Sequence, residues 1–246
     1  MASAAACLVL GLGLLGGAAV GTWATGGDSP PDAEAAAYAH AWAAWHSVPV
    51  DDLFPPTLRG DGAGPGGADR VWTRVAVAPD SSCGGAFDPL LAKALAPVGC
   101  GRLLRATYAD ATSTSVTTVG LLVTRADADG MRALARRFAA ERLGDRADLL
   151  PRPYPAPGTA AAGFGDAQRA SWHIEVLTDL PTVVYAVTGF ADARPVTDPR
   201  PAAEATRRGA TSAPAQAGLG HAARGVADLA EHAFRQAVAR TRKASP

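Results

Sequence analysis

The sequence has very little lysine and no excess of either charge. Only Lys93 and Lys243 are lysines, while acidic and basic residues number 23 each, so the formal net charge is zero. A balanced charge excludes a protein that attracts nucleic acid or acidic lipid through its overall field. The use of arginine for almost all positive charge, beside many alanine, glycine and proline residues, is typical of a GC-rich bacterial gene. We therefore assign the arginine content no function.

The familiar catalytic motifs are missing as well. The chain contains no G-x-S-x-G, no H-E-x-x-H and no S-x-x-K with its companion motifs. Its five histidines are scattered, and His173 with Glu175 is the only histidine–carboxylate pair on one predicted strand face. No nucleophile accompanies that pair, so we expect a non-catalytic protein. An exported hydrolase stays open as an alternative, because catalytic groups can converge from distant positions.

Cysteine is scarce, and its placement predicts one disulfide. Cys7 lies inside an apolar run, which leaves Cys83 and Cys100 as an isolated pair that brackets one short helix. In an exported domain such a pair is expected to be oxidised. Zinc needs four ligands, and no histidine or further cysteine lies near this pair at ligand spacing. The sequence therefore predicts a Cys83–Cys100 disulfide, with no metal and no cofactor.

One long uncharged run lies at the start of the chain. Residues 4–24 carry no charge, and about 20 apolar residues are enough to cross a bilayer as a helix. We predict that residues 1–27 are a transmembrane anchor or, alternatively, a signal segment cleaved after Ala24; a soluble N-terminus is the third possibility. No lysine or arginine precedes Arg59, so the positive-inside rule does not indicate an orientation. The acidic residues that follow favour an extracytoplasmic location for the rest.

Residues 28–69 combine an aromatic helix with a Pro/Gly-rich lead-in. The alanine-rich stretch 32–46 favours a helix, on which Tyr38, Trp42 and Trp45 form one stripe. This stripe is expected to pack on the following domain, or alternatively to face the membrane surface or a ligand.

Residues 70–191 alternate between strand-like and helix-like patterns. A helix capped by Asp88 follows the first strand, and a helix over 128–143, capped by Asp127, follows the third. Tyr154 and Phe164 are expected to anchor a Pro/Gly-rich loop over 145–168. A linker over 192–220 and an amphipathic helix within 221–246 complete the chain. The five predicted strands are 71–78, 102–108, 116–124, 170–177 and 182–190.

The order of these elements, β-α-β-β-α-β, predicts an α+β fold of the ferredoxin-like, split-βαβ type. We expect an antiparallel sheet in the spatial order second, third, first, fourth, fifth. Both helices would lie on one face, and the extra fifth strand would form a hairpin with the fourth.

That topology leaves one sheet face open, and we predict that this face binds a ligand. Arg74 and Glu175 would meet there because the first and fourth strands would be neighbours, in an ion pair that faces solvent. Alternatively, the C-terminal or the aromatic helix covers this face and leaves a pocket at its rim. The candidate ligand-binding residues are Trp72, Arg74, Arg105, Thr107, His173 and Glu175.

These observations predict a membrane-tethered, extracytoplasmic binding or sensing module of a bacterial envelope. It would be single-pass in the cell membrane, or secreted if the N-terminal segment is cleaved. The alternative is a structural or assembly subunit of an envelope complex, which would bind an envelope protein through edge strands or the final helix. No nucleic-acid partner is expected.

Overall fold

The computed structural model describes the backbone of residues 31–244 and the side chains of residues 35–243. The apolar segment predicted over 1–27 lies outside these residues. The chain divides into an N-terminal unit that ends at Ala37 and a second unit from Tyr38 onward, to which the sheet belongs. Within the described part, no helix is both long and apolar enough to span a bilayer.

Seven helices and seven strands make up the described chain, and four single 3₁₀ turns connect some of them. The strands are β1 (Thr57–Gly60), β2 (Arg70–Val77), β3 (Cys100–Asp110), β4 (Ser115–Thr124), β5 (Ser171–Val176), β6 (Thr182–Phe190) and β7 (Arg200–Pro201). The helices are α1 (Pro31–Ala44), α2 (Val50–Leu53), α3 (Pro89–Leu95), α4 (Ala128–Glu141), α5 (Ala202–Ala205), α6 (Ala213–Gln216) and α7 (Leu219–Ala244).

Local signals set the starts of the two central helices. The carboxylate of Asp127 accepts a hydrogen bond from the Gly130 backbone amide at 2.9 Å, so it caps α4 as predicted. Asp88 precedes α3 but caps no amide with its side chain. It binds Arg152 and Arg169 instead, at 3.3 and 2.8 Å. Asp88 therefore occupies the predicted N-cap position of α3, with Pro89 first in the helix, but its side chain makes no capping hydrogen bond.

The sheet confirms the α+β class but has a different strand order from the predicted one. Its seven strands run β1-β2-β3-β4-β6-β5-β7, and every pair is antiparallel except β5 with β7. In a split-βαβ fold β2 would lie between β4 and β5, whereas here it pairs with β1 and β3. The strand order predicted for a ferredoxin-like fold is therefore wrong. Successive strands from β1 to β4 form a meander, and the β5–β6 hairpin joins β4 through β6.

Helices cover both faces of the sheet. One face, called the α7 face here, packs on α7 through Trp72, Tyr108 and Leu121. The other, called the α3/α4 face, packs on those two helices through Leu103, Leu122, Val183 and Tyr185. The two predicted central helices do share one face. The apolar stripe of the final helix, which includes Val226 and Phe234, is buried against the sheet.

The three residues of the aromatic stripe on α1 differ in how far they are buried. Tyr38 is buried, while the side chain of Trp42 is 40% exposed. Trp45 is partly buried, and the guanidinium of Arg102 lies 4.9 Å from its ring centroid. Two of the three aromatic residues therefore pack on the domain, in line with the first of the two interpretations.

The central strand β4 is buried at all ten positions. A strand that is covered on both sides carries apolar or small residues on both sides, so its sequence does not tell which side faces which helix. A β-bulge between Arg74 and Ala76 adds a residue to β2 opposite β3. A bulge of one residue reverses the alternation of side chains beyond it. Faces assigned by alternation alone are therefore wrong for part of this sheet.

Candidate functional site

Four of the six predicted ligand-binding residues lie on the α7 face, and two of these have structural roles. Trp72 is completely buried, and its ring occupies space that a Cβ atom on Gly60 or Gly225 would enter, at 2.9 and 3.1 Å. Arg74 forms an ion pair with Asp51 at 2.7 Å and donates to the carbonyl oxygen of Phe54. Neither side chain is free to meet a ligand.

The predicted ion pair between Arg74 and Glu175 is wrong. Three strands, β3, β4 and β6, separate β2 from β5 in the sheet. Glu175 instead lies beside His173, whose Nε2 is 3.7 Å from a carboxylate oxygen of Glu175. The α7 helix brings Arg224, Asp228 and Glu231 near the imidazole of His173, whereas the side chain of Glu175 is 52% exposed.

Burial lowers the pKa of His173 below its ordinary value, although Asp228 and Glu175 act in the opposite direction and Arg224 adds to the decrease. The imidazole is therefore neutral near pH 7. A neutral histidine beside carboxylates resembles part of a catalytic triad, but Ser171, on the same strand face, is completely buried and its hydroxyl has no hydrogen-bond partner in the described chain. The cluster thus supplies no accessible nucleophile.

We expect His173 to make stability fall in mild acid. In the unfolded chain its pKa is about 6.5, above the folded value, so the unfolded state binds more protons between the two values. The free energy of unfolding therefore decreases as the pH falls through this window. His173→Gln should flatten the decrease in urea unfolding measured from about pH 7.5 to about pH 5. His232→Gln, on the exposed side of α7, is the control, and equal slopes in wild type and His173→Gln would contradict this role.

The other two predicted residues, Arg105 and Thr107, lie on the α3/α4 face. The registers place Arg105 opposite Gly120, and Gly120 opposite Tyr185 on the next strand. The prediction of one common face is therefore wrong for these two residues. Arg74 pairs directly with Tyr108, so Arg105 and Thr107, whose side chains alternate with that of Tyr108 along β3, face the other way.

Thr107 holds a tyrosine of the long loop against the sheet. Its hydroxyl donates to the Tyr154 carbonyl oxygen at 2.9 Å, and the Tyr154 backbone amide donates to the Thr118 hydroxyl at 2.9 Å. The two threonine hydroxyls lie 2.9 Å apart. Phe164 anchors the later part of this loop and is 1% exposed. Two neighbouring strands therefore hold the backbone of Tyr154 in place.

The side chain of Arg105 packs on the ring of Tyr154. Its guanidinium carbon lies 5.2 Å from the centroid of the Tyr154 ring, within the range of a cation–π contact. Arg105 is half-buried, and its Nε is enclosed without a hydrogen-bond partner in the part of the chain that the structure describes. None of the ion pairs within residues 35–243 includes Arg105.

Gly120 gives Tyr185 the space to reach toward Arg105. A Cβ atom on Gly120 would lie only 2.3 Å from Cζ and 2.5 Å from the hydroxyl oxygen of Tyr185, so the phenol ring lies across this glycine. Tyr185 is 1% exposed, its ring meets Phe87 edge-on at 5.3 Å, and its hydroxyl has no hydrogen-bond partner among the described residues. Burial raises the pKa of Tyr185, against the effect of the Arg105 charge.

We name Arg105, Tyr154 and Tyr185 together the Arg105 site. Sequence reasoning found Arg105 and Thr107 but placed them on the wrong face, and it treated Tyr185 only as a strand residue. Gly120 was the available signal, because glycine inside a strand often marks the close approach of another group.

We expect Gly120→Ala to destabilise the protein by about 1–3 kcal/mol, since the new methyl group overpacks against a ring that cannot move freely. The measurement is urea unfolding of three variants: Gly120→Ala, Tyr185→Ala and the double variant that carries both changes. The double variant should show a coupling of about 0.5–3 kcal/mol that offsets part of the two single costs.

Gly84→Ala is the matched control, because its Cβ atom would meet only the Ser82 hydroxyl, at 3.7 Å. Strict additivity of Gly120→Ala and Tyr185→Ala would mean that the ring does not depend on the glycine.

A second surface feature lies along β5. A groove of about 320 Å³ separates the end of α4 from this strand and is lined by Phe138, Arg142, Ile174 and Glu175, among others. β7 pairs with β5 only at Ser171 and Trp172. Within the described residues, no strand pairs with the outer side of β5 beyond that point.

Metal binding and known relatives add no further site. Within the described residues, no three histidine, cysteine or acidic side chains lie close enough together to hold a metal ion. The predicted disulfide between Cys83 and Cys100 is present, with Cα atoms 6.1 Å apart.

Comparisons with protein-family models, curated proteins and solved structures gave no match.

Proposed function

We propose that this chain is a non-catalytic binding or sensing module that works outside the cytoplasmic membrane of a bacterium. The Arg105 site is the observation that carries the proposal. A positively charged side chain lies on an aromatic ring whose backbone is held by two strands, and two enclosed polar atoms, Nε of Arg105 and the Tyr185 hydroxyl, have no partner in the described chain. Buried polar groups are nearly always hydrogen-bonded, so such a pair suits a site that a ligand completes.

The proposed location rests on two further features. Disulfides persist in oxidising compartments, and Cys83 and Cys100 form one. The uncharged run over 4–24 has the length of a membrane anchor or a signal segment. Tethering or secretion therefore remains part of the proposal, with the membrane and an envelope protein as its possible partners.

Thermal unfolding of the full chain in the presence of small metabolites tests the binding role. At least one chemical class should raise the melting temperature, since a ligand that binds only the folded state stabilises it. Turnover in a hydrolase screen, lost in His173→Ala, would replace this proposal with an enzyme. Non-reducing mass spectrometry of the chain from its producing cell tests the location, and free thiols at Cys83 and Cys100 would contradict it.

The second candidate is an assembly subunit of an envelope complex, and the outer side of β5 favours it. An unpaired strand edge can accept an extended segment of another chain. Association through the final helix is less favoured, because the apolar stripe of α7 is buried within this chain. If β5 serves assembly, hydrogen exchange at residues 173–176 should slow as the protein concentration rises. Exchange that does not depend on concentration would argue against self-association through this strand.

A further inference from the structure

Arg105 has no counter-charge among the described residues, in contrast to Arg102 on the same strand and to Arg152 and Arg169, which lie on either side of Tyr154 in the sequence. Asp88 binds both Arg152 and Arg169, and Asp166 lies 3.5 Å from Arg152. That network contains two carboxylates for two guanidinium groups. Arg102, on the same strand as Arg105, pairs with Asp80 at 3.1 Å. The positive charge of Arg105 is therefore left uncompensated by the side chains of residues 35–243.

The donors around Arg105 are also unused. A guanidinium group carries five N–H donors in a planar fork and no acceptor. Among the described residues, no side-chain hydrogen bond involves the Arg105 guanidinium, and its Nε is enclosed without a partner. The enclosed Tyr185 hydroxyl supplies a further donor, because burial raises its pKa and keeps it protonated. Tyr185, Gly120 and Arg105 lie side by side on three neighbouring strands. The Tyr185 ring lies over the glycine, so its hydroxyl is directed toward Arg105.

The surroundings exclude water from one side of the site. Phe87 packs against Tyr185, Tyr154 lies under the guanidinium, and no carboxylate among the described residues pairs with Arg105. An electrostatic interaction in such a setting is stronger than in bulk water, because the effective dielectric constant is lower. A ligand that completes this site must bring negative charge and hydrogen-bond acceptors together.

We propose that the Arg105 site binds an oxyanion, a carboxylate or phosphate group, through the Arg105 fork and the Tyr185 hydroxyl. The inference rests on the binding role proposed above and names the ligand class of that same site. An arginine fork matches the two oxygens of a carboxylate or phosphate, and the tyrosine hydroxyl would donate to one of them. The Tyr154 ring holds the guanidinium in place, so little side-chain freedom is lost on binding.

Calorimetric titration of the full chain with inorganic phosphate and, separately, with citrate tests this inference, with sodium chloride at matched ionic strength as the salt control. We expect binding of at least one of the two anions, and the comparison separates phosphate from carboxylate preference. Arg105→Gln should weaken it at least about tenfold, because the bidentate, charge-assisted contact is lost. Arg105→Lys should weaken it less, since the charge remains without the fork.

Arg194→Gln is the matched control. Arg194 also lies over an aromatic ring, 3.7 Å from the centroid of Phe190, but it pairs with Asp192 at 3.4 Å. This variant should bind the anion as tightly as the wild type. Equal affinity in Arg105→Gln and Arg194→Gln would overturn the inference.

Tyr185→Phe separates a ligand-binding hydroxyl from a merely buried one. The variant removes an unpartnered polar atom, so without anion its melting temperature should equal or exceed that of the wild type. Its affinity for the anion should nevertheless fall. If the affinity of Tyr185→Phe is unchanged, Tyr185 is not part of the site. If the wild type binds neither phosphate nor citrate, the proposed ligand class is wrong. If neutral or cationic compounds then stabilise the chain, the proposed binding role stands and only the ligand class is wrong.

Discussion

Replacing Trp72 with alanine is expected to lower the free energy of unfolding by about 3–5 kcal/mol, the range for deleting a large buried aromatic side chain. The indole ring is completely enclosed, and it lies against Gly60 on the edge strand and Gly225 on α7. Two of its neighbours are glycines, which have no side chain that could move into the cavity. Urea unfolding followed by far-ultraviolet circular dichroism measures the loss.

Trp42→Ala is the control for this substitution. Trp42 is 40% exposed on α1, so the same chemical change removes far less buried area and should cost clearly less. A cost for Trp72→Ala no larger than that for Trp42→Ala would mean that α7 does not pack on β2 in the way described. If Trp72→Ala fails to fold, Trp72→Phe keeps part of the ring and should give an intermediate loss.

Opening the disulfide is expected to have the second large effect. Cys83 and Cys100 are separated by 17 positions, and closing a loop of this size stabilises a protein by about 3 kcal/mol in the chain-entropy model. For a domain of this size about 2–4 °C of melting temperature corresponds to each kcal/mol, so the expected decrease is about 6–12 °C. Thermal unfolding with and without a thiol reductant measures it.

The variant in which serine replaces both cysteines should reproduce the melting temperature of the reduced protein and should no longer respond to the reductant. Cys7 is unchanged in this variant and serves as an internal control for other effects of the reductant. A decrease of the same size in the double variant on reduction would show that the effect does not arise from the Cys83–Cys100 bond.

Local features of this fold could be predicted from the sequence because short-range signals determine them. Asp127 marks the start of α4, as its position before the helical pattern predicts. The disulfide followed from only two candidate cysteines outside the apolar run. The burial of Val226 and Phe234 in α7 followed from their helical spacing.

The strand order and the common face could not be predicted in this way. The sequence S-V-T-T-V-G-L-L-V-T of β4 is apolar or small on both sides, so it is compatible with either orientation. Nothing in a single sequence marks the bulge beyond Arg74 that reverses the alternation in β2. The contact between Arg105 and Tyr154 joins residues 49 positions apart across a long loop, and no local pattern predicts such a pair.

The meander from β1 to β4 also bears on how the chain reaches its native state. Each of these strands pairs with its neighbour in sequence, and contacts between nearby residues form early because little chain must be brought together. The pairing of β4 with β6 instead joins residues at least 59 positions apart, such as Val123 with Thr182, at a greater entropic cost. Connectivity therefore favours a pathway in which the N-terminal half of the sheet serves as a template on which the later hairpin, and then α7, assemble.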